Sequence, residues 1–115
     1  MTKDLADIIT NEYSDKFDEL RRNAIAMSFY KYGSSRTNFA TGNIDAIGCL
    51  EKCLEKFKET KNLDYLIDVA NYAMFRYMYP QEGEFFERTS SDESAGIVGI
   101  SEKELEQIKE DDRWG

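Results

Sequence analysis

Residues 63–80, LDYLIDVANYAMFRYMYP, are apolar or aromatic on nearly every helical face, yet Asp68 and Asn71 sit at their centre. A helix that is hydrophobic all round is buried against neighbours on several sides. The rest of the chain must therefore supply helices that surround this one. Burying a carboxylate is costly unless it is paired, hydrogen-bonded or metal-bound. Asp68 thus needs a partner, and the identity of that partner bears directly on function. Pro80, the only proline, ends the run, because the residue before a proline is pushed out of helical conformation.

The surrounding helices are legible from their period. Leu5, Ile8, Ile9, Tyr13, Phe17, Leu20, Ala24 and Met27 recur at steps of one, three and four. That spacing predicts one helical face from about Asp4 to Tyr32, with Asn11–Ser14 as the place where it would break. Gly33 is a natural C-terminal stop. Residues 33–42, GSSRTNFATG, are turn-rich and read as a loop. Asn43 is a good N-cap for a helix carrying Ile47, Leu50, Leu54 and Phe57 on one stripe to about Thr60. The link Lys61–Asn62 is so short that this helix and the next must be antiparallel neighbours. Residues 81–100 show no sustained period and read as a loop, with Thr89–Glu93 as a segment that could close over a pocket. Ser101 and Glu104 form a capping-box pattern for a last helix over about 101–112. The fold class is all-α: a small bundle of three main helices plus a short C-terminal helix, in one domain over 1–115.

Composition narrows the function classes. In 115 residues the net charge is −8, which argues against direct nucleic-acid binding, since phosphate contacts need clustered Lys and Arg. There is no His, so Ser-His-Asp and Cys-His catalysis cannot form. Any metal would be a hard cation on oxygen ligands, Mg²⁺ or Mn²⁺. Cys49 and Cys53, four apart on a helix, read as reduced, semi-buried residues. The N-terminus MTKDLADIIT carries acidic residues and no long apolar core, unlike a signal peptide. No segment supplies the roughly 20 apolar residues of a membrane span. The expected location is the cytoplasm.

Two constellations could carry chemistry. Glu51 and Glu55 lie four apart on one helix, and Asp64, Asp68 and Asn71 share a stripe of the next. If those stripes face each other, the carboxylates could hold Mg²⁺ and bind a triphosphate through it. Otherwise Glu51 and Glu55 flank the apolar stripe in water, and Asp68 is neutralised by Arg21, Arg22 or Lys31. The second constellation is the helix end Phe29-Tyr30-Lys31-Tyr32-Gly33-Ser34-Ser35-Arg36. There aromatics could stack a base while Lys31 and Arg36 meet phosphates. Its alternative is Tyr30 and Tyr32 packed in the core with their hydroxyls at the edge.

Asp68-Val69-Ala70-Asn71-Tyr72-Ala73-Met74 resembles the final core helix of the MazG-like all-α nucleoside triphosphate pyrophosphohydrolases, and Leu50-Glu51-Lys52-Cys53-Leu54-Glu55 resembles the acidic helix before it. Arg21-Arg22-Asn23 through Lys31-Tyr32-Gly33 sits where that group has a first helix ending in a basic, Gly-containing turn. The resemblance covers about residues 17–80 and is closest to small MazG-like proteins of phages and prophages. It implies a MazG-like bundle, Mg²⁺ held by Asp68 and one of the glutamates, and a homo-oligomer. The candidate metal ligands are thus Glu51, Glu55 and Asp68, with Asp64 as an alternative, and the candidate nucleotide contacts are Lys31, Tyr32, Arg36 and Asn71. The chain departs from the group's metal pattern. Glu51 and Glu55 are four apart rather than three, and Tyr65, not Glu, stands three before Asp68.

Three functions follow as expectations. One is Mg²⁺-dependent hydrolysis of a nucleoside triphosphate. A second is a degenerate relative that binds a nucleotide-derived signal and sequesters it, as phage anti-defence proteins do. The third is a small acidic phage protein that inhibits a host protein by direct binding.

Overall fold

Serine and aspartate caps divide the N-terminal pattern in two. In the computed structural model, which describes residues 4–114 and their side chains to residue 111, α1 spans Leu5–Glu12 and α2 spans Asp15–Tyr32. The Asp4 carboxylate accepts from the Asp7 N–H at 3.0 Å, and the Ser14 hydroxyl accepts from the Phe17 N–H at 3.0 Å. Each cap satisfies an N–H that a helix start leaves without a partner. Tyr13 is extended between the two helices and donates its hydroxyl to Asp18. Gly33 ends α2 at φ 84°, its N–H bonded to Phe29 O at 2.9 Å.

α3 (Ala46–Thr60) and α4 (Asp64–Met78) form the main pair. Lys61 turns the chain between them with a left-handed φ of 65°, the one non-glycine residue there among those described. The two helices are antiparallel, as the short link requires. Asp45 at the start of α3 meets Arg76 near the end of α4 at 3.9 Å, Cys49 lies near Tyr72, and Cys53 lies near Asp68. α2 packs on α4 through Arg21, and the two run the same way: Arg21 meets Asn71, and beyond Gly33 Ser35 meets Tyr79. The protein is all-α, with no strand among the described residues. None of their helices is long and apolar enough to cross a membrane.

The α3 cap corrects the sequence reading. Asn43 does not open the helix; Asp45 precedes it in extended backbone, and α3 starts at Ala46. Asn43 is held one step earlier, its N–H on the Thr41 hydroxyl, while Ile44 turns inward. A larger departure is the segment read as a loop. Arg36–Ala40 forms a π-helical turn that drives Phe39 into the core. The turn is tied down on several sides. Asn38 Nδ2 donates to Tyr32 O, Ile44 N–H to Asn38 O, and Gln81 Nε2 to Phe39 O.

The core is small. Phe39, Ala46 and Phe75 form its centre, with Ile25, Ile44, Tyr72, Met74 and Tyr79 packed around them. Phe39 stacks on Phe75 with ring centroids 4.9 Å apart and meets Tyr72 edge-on at 6.0 Å. Ile67 is also buried. Much of the predicted face of α1 and α2 is not covered: Leu5, Ile8, Ile9, Tyr13, Leu20 and Met27 are exposed. At the far end of α4, Arg76 holds Glu84 at 2.7 Å, and Glu84 also accepts from the Gln81 N–H at 2.7 Å. These bonds fasten the chain leaving α4 back onto it.

By compactness the chain forms two units, Met1–Glu84 and Phe85–Gly115. The second contains a 3-10 turn at Ser91–Glu93, closed by a reciprocal capping box between Ser90 and Glu93. It also contains α5 (Glu102–Trp114), where the Ser101 hydroxyl accepts from the Glu104 N–H at 3.1 Å, as the sequence pattern predicts.

Two measurements check this architecture. Phe39→Ala should cost about 3 kcal/mol in chemical denaturation, because it opens a cavity against Phe75. The Arg76 hydrogen bonds hold the Glu84 carboxyl below the usual glutamate range, helped by the Gln81 N–H. An acid with a depressed folded pKa contributes stability above its unfolded value, and that stability is lost as the pH falls through the folded one. Glu84→Gln should therefore lower the Tm at pH 7, and the gap should close as the pH drops below roughly 4.

Candidate functional site

A pocket of about 280 Å³ opens in the 1–84 unit between α2, the π-helical turn, α3 and α4. Its walls are built from the same packing that makes the core. Phe39, Tyr72 and Phe75 are the core aromatics, and one side of each lines the cavity. α2 adds Ile25, Phe29 and Tyr32, and the chain after it adds Ser35, Asn38 and Ile44. Asp68 sits on the same stripe of α4 as Tyr72 and Phe75. Over the two turns from Asp68 to Phe75 the pocket runs about 10 Å along the helix.

Asp68 is half-buried, and no hydrogen bond or ion pair reaches its carboxylate among the described residues. The cations expected to neutralise it are elsewhere. Arg21 spends its guanidinium on Asp18 at 3.3 Å, on Asn71 Oδ1 at 3.1 Å and on the Met74 sulfur at 3.2 Å. Arg22 and Lys31 are exposed. Burial, with the like charge of Asp64 as a second cause, holds the Asp68 carboxyl above its ordinary value. The same surroundings act on its neighbours. Burial first, then the nearby thiols and Asp68, pushes the Tyr72 hydroxyl up to about 12, and burial raises the Cys53 thiol. Tyr72 and Cys53 therefore hold their protons more tightly than usual, and Asp68 is the one carboxyl among the described residues that line the pocket.

Asn71 is buried, with its amide committed to α2. Its Oδ1 accepts from Arg21 Nε, and its Nδ2 donates to Arg21 O at 3.2 Å. It lines the pocket as a strut that holds α4 to α2. Tyr32 lines the pocket at its exposed rim. Lys31 and Arg36 are exposed and flank in sequence the lining residues Tyr32 and Ser35.

The expected facing of acidic stripes does not occur. The face that α3 turns inward is Ala46, Cys49, Leu50, Cys53, Leu54 and Phe57. Glu51 and Glu55 each follow an inward residue by one position, about 100° around the helix, and both are exposed. Asp64 is exposed in the first turn of α4. No three acidic or thiol side chains among the described residues are placed to hold one metal ion. The residues present do not fit a Mg²⁺ or Mn²⁺ site made of Glu51, Glu55 and Asp68. Cys49 and Cys53 are free thiols, each half-buried.

Sequence reasoning missed Phe39, which forms the pocket's inner wall. The signal was a single aromatic inside the polar stretch GSSRTNFATG. No protein-family model, curated protein or solved structure matches this chain.

The state of Asp68 predicts an unusual substitution. A folded-state pKa above the unfolded value contributes stability only at low pH, and that contribution is lost as the pH rises through the folded value. At pH 7 the ionised carboxylate is thus a liability to the fold. Asp68→Asn should raise the Tm at pH 7, with the advantage fading toward the unfolded aspartate value of roughly 3.9 in a pH series of thermal melts.

Proposed function

We propose that the 1–84 unit is a MazG-like nucleotide-binding module that works without a metal, holding a nucleotide or nucleotide-derived ligand in this pocket without hydrolysing it. The observation that carries the reading is the pocket itself: a cavity walled by aromatic rings, with one unpartnered carboxylate inside and exposed cations beside its rim in sequence. Its volume of about 280 Å³ lies near the lower end of small-molecule sites. It has room for a base and sugar, with phosphates left outside. Aromatic walls suit a flat heterocycle, since ring faces stack on one another. Lys31 and Arg36 would meet the phosphates. The segment DVAN, which carries the MazG-like resemblance, supplies both Asp68 and the Asn71 strut.

Degeneracy of the metal set supports binding over turnover, because glutamates directed to water supply no ligands to a cation in the pocket. Sequestering a nucleotide signal is a role that suits a phage anti-defence protein. Self-association is part of the same reading. Exposed Ile8, Ile9, Leu20 and Met27 are apolar side chains that a second copy of the chain would cover.

A thermal-shift panel of nucleotides on the full chain tests the reading. A bound nucleotide at 100-fold its Kd should raise the Tm by about 10 °C, equally with Mg²⁺ and with EDTA. No pyrophosphate should appear with Mg²⁺ or Mn²⁺. Turnover of any (d)NTP that Asp68→Ala abolishes would overturn binding alone in favour of the hydrolase. No shift with any nucleotide would remove the nucleotide reading and favour inhibition of a host protein.

A further inference from the structure

We infer that the pocket selects guanine among the common bases, through two parallel hydrogen bonds from the ring edge to the Asp68 carboxylate. This inference rests on the nucleotide-binding reading above and adds to it the chemical identity of the ligand's base.

An ionised carboxylate accepts hydrogen bonds and donates none. Asp68 is half-buried, shares the α4 stripe with two aromatic rings and has no partner of its own. A ligand that covers it must supply donors, because an acceptor set against it would leave both groups desolvated and opposed. Two donors side by side match its two oxygens in the fork geometry that makes carboxylate pairs strong. Among the common bases only guanine offers this. Its pairing edge presents N1–H next to the N2 amine. Adenine and cytosine each set one amine beside a ring-nitrogen acceptor, and uracil sets a single N–H between two carbonyls.

The rest of the pocket is consistent with that orientation. Tyr72, Phe39 and Phe75 give a purine flat surfaces next to Asp68. On the α2 side the Ser28 hydroxyl lines the pocket for a ribose, beside Ser35, whose hydroxyl is shared with Tyr79, and Asn38, whose Nδ2 is held by Tyr32 O. Charge fixes the direction. A phosphate placed against the half-buried Asp68 would meet like charge, whereas the exposed Lys31 and Arg36 adjoin in sequence the lining residues Tyr32 and Ser35. The base therefore enters first and the phosphate stays outside. The low local dielectric that raises the Asp68 carboxyl also strengthens any charge-assisted hydrogen bond made to it.

Titration calorimetry of the full chain with GMP, IMP, AMP, CMP and UMP tests this. GMP should bind at least tenfold more tightly than AMP, CMP or UMP. IMP, which lacks the N2 amine, should bind about tenfold more weakly than GMP. Asp68→Asn, which the fold should tolerate, should lose at least tenfold for GMP and close the gap to AMP, with a thermal melt confirming that the variant is folded. Equal affinities across the panel, equal GMP and IMP affinities, or unchanged GMP binding by folded Asp68→Asn would overturn the guanine assignment while leaving nucleotide binding intact. If no nucleotide binds, both readings fall together.

Discussion

Arg21 reaches Asn71 and leaves Asp68 without a counter-ion. Its guanidinium bonds the Asn71 amide at 3.1 Å and Asp18 at 3.3 Å, and its backbone carbonyl accepts from the same Asn71. This reciprocal tie is the polar join between α2 and α4 within an otherwise apolar contact. It also engages Arg21, the cation of α2 that reaches α4 among the described residues. Asp68, one turn earlier on α4, is then held half-buried by the surrounding helices with nothing to answer its charge. A half-satisfied buried polar group is costly to a fold. Its position on a cavity wall is where such a cost is most often linked to function.

The packing explains why the cavity exists. Among the described residues the buried apolar core is limited to Phe39, Ala46, Ile67 and Phe75, and no large side chain is fully enclosed. Phe39 and Phe75 stack on each other, while Phe29 and Tyr32 of α2 line the pocket with their side chains largely exposed. The space between the stack and α2 is therefore lined with rings and left unfilled. The π-helical turn is the device that makes this arrangement. It inserts Phe39 from the α2–α3 connection, and its bonds to Tyr32 O, Ile44 N–H and Gln81 keep the ring in place. Such wide turns are often found at functional sites.

Most of the helical framework was legible in the sequence because it rests on local chemistry. Ser14, Gly33, Pro80 and Ser101 mark helix ends through caps and backbone restrictions that depend on nearest neighbours. The antiparallel α3–α4 pair followed from the length of a link. The sequence was indecisive or wrong wherever the answer depended on helix phase or on a distant contact. The spacing of Glu51 and Glu55 left open whether they face α4 or flank the apolar stripe in water, and the phase of α3, decided by Cys49, Cys53 and Phe57, puts them in water. The choice of Asp45 over Asn43 depends on Ile44 joining a core assembled from three segments. Phe39 could not be recognised as core from a polar stretch, because its partner Phe75 lies 36 positions away. The importance of Asp68 was visible from its apolar surroundings. Its lack of any partner was not, since several basic residues were within plausible reach and only the geometry shows where Arg21 goes.

Asp68 is an ionisable carboxylate held on a pocket wall with no cation bonded to it among the described residues. Carboxyl-carbon NMR across a pH titration of the free protein reads that directly. Asp68 should titrate above the ordinary aspartate value of roughly 3.9. A midpoint at or below that value would reveal a cationic partner and contradict the account.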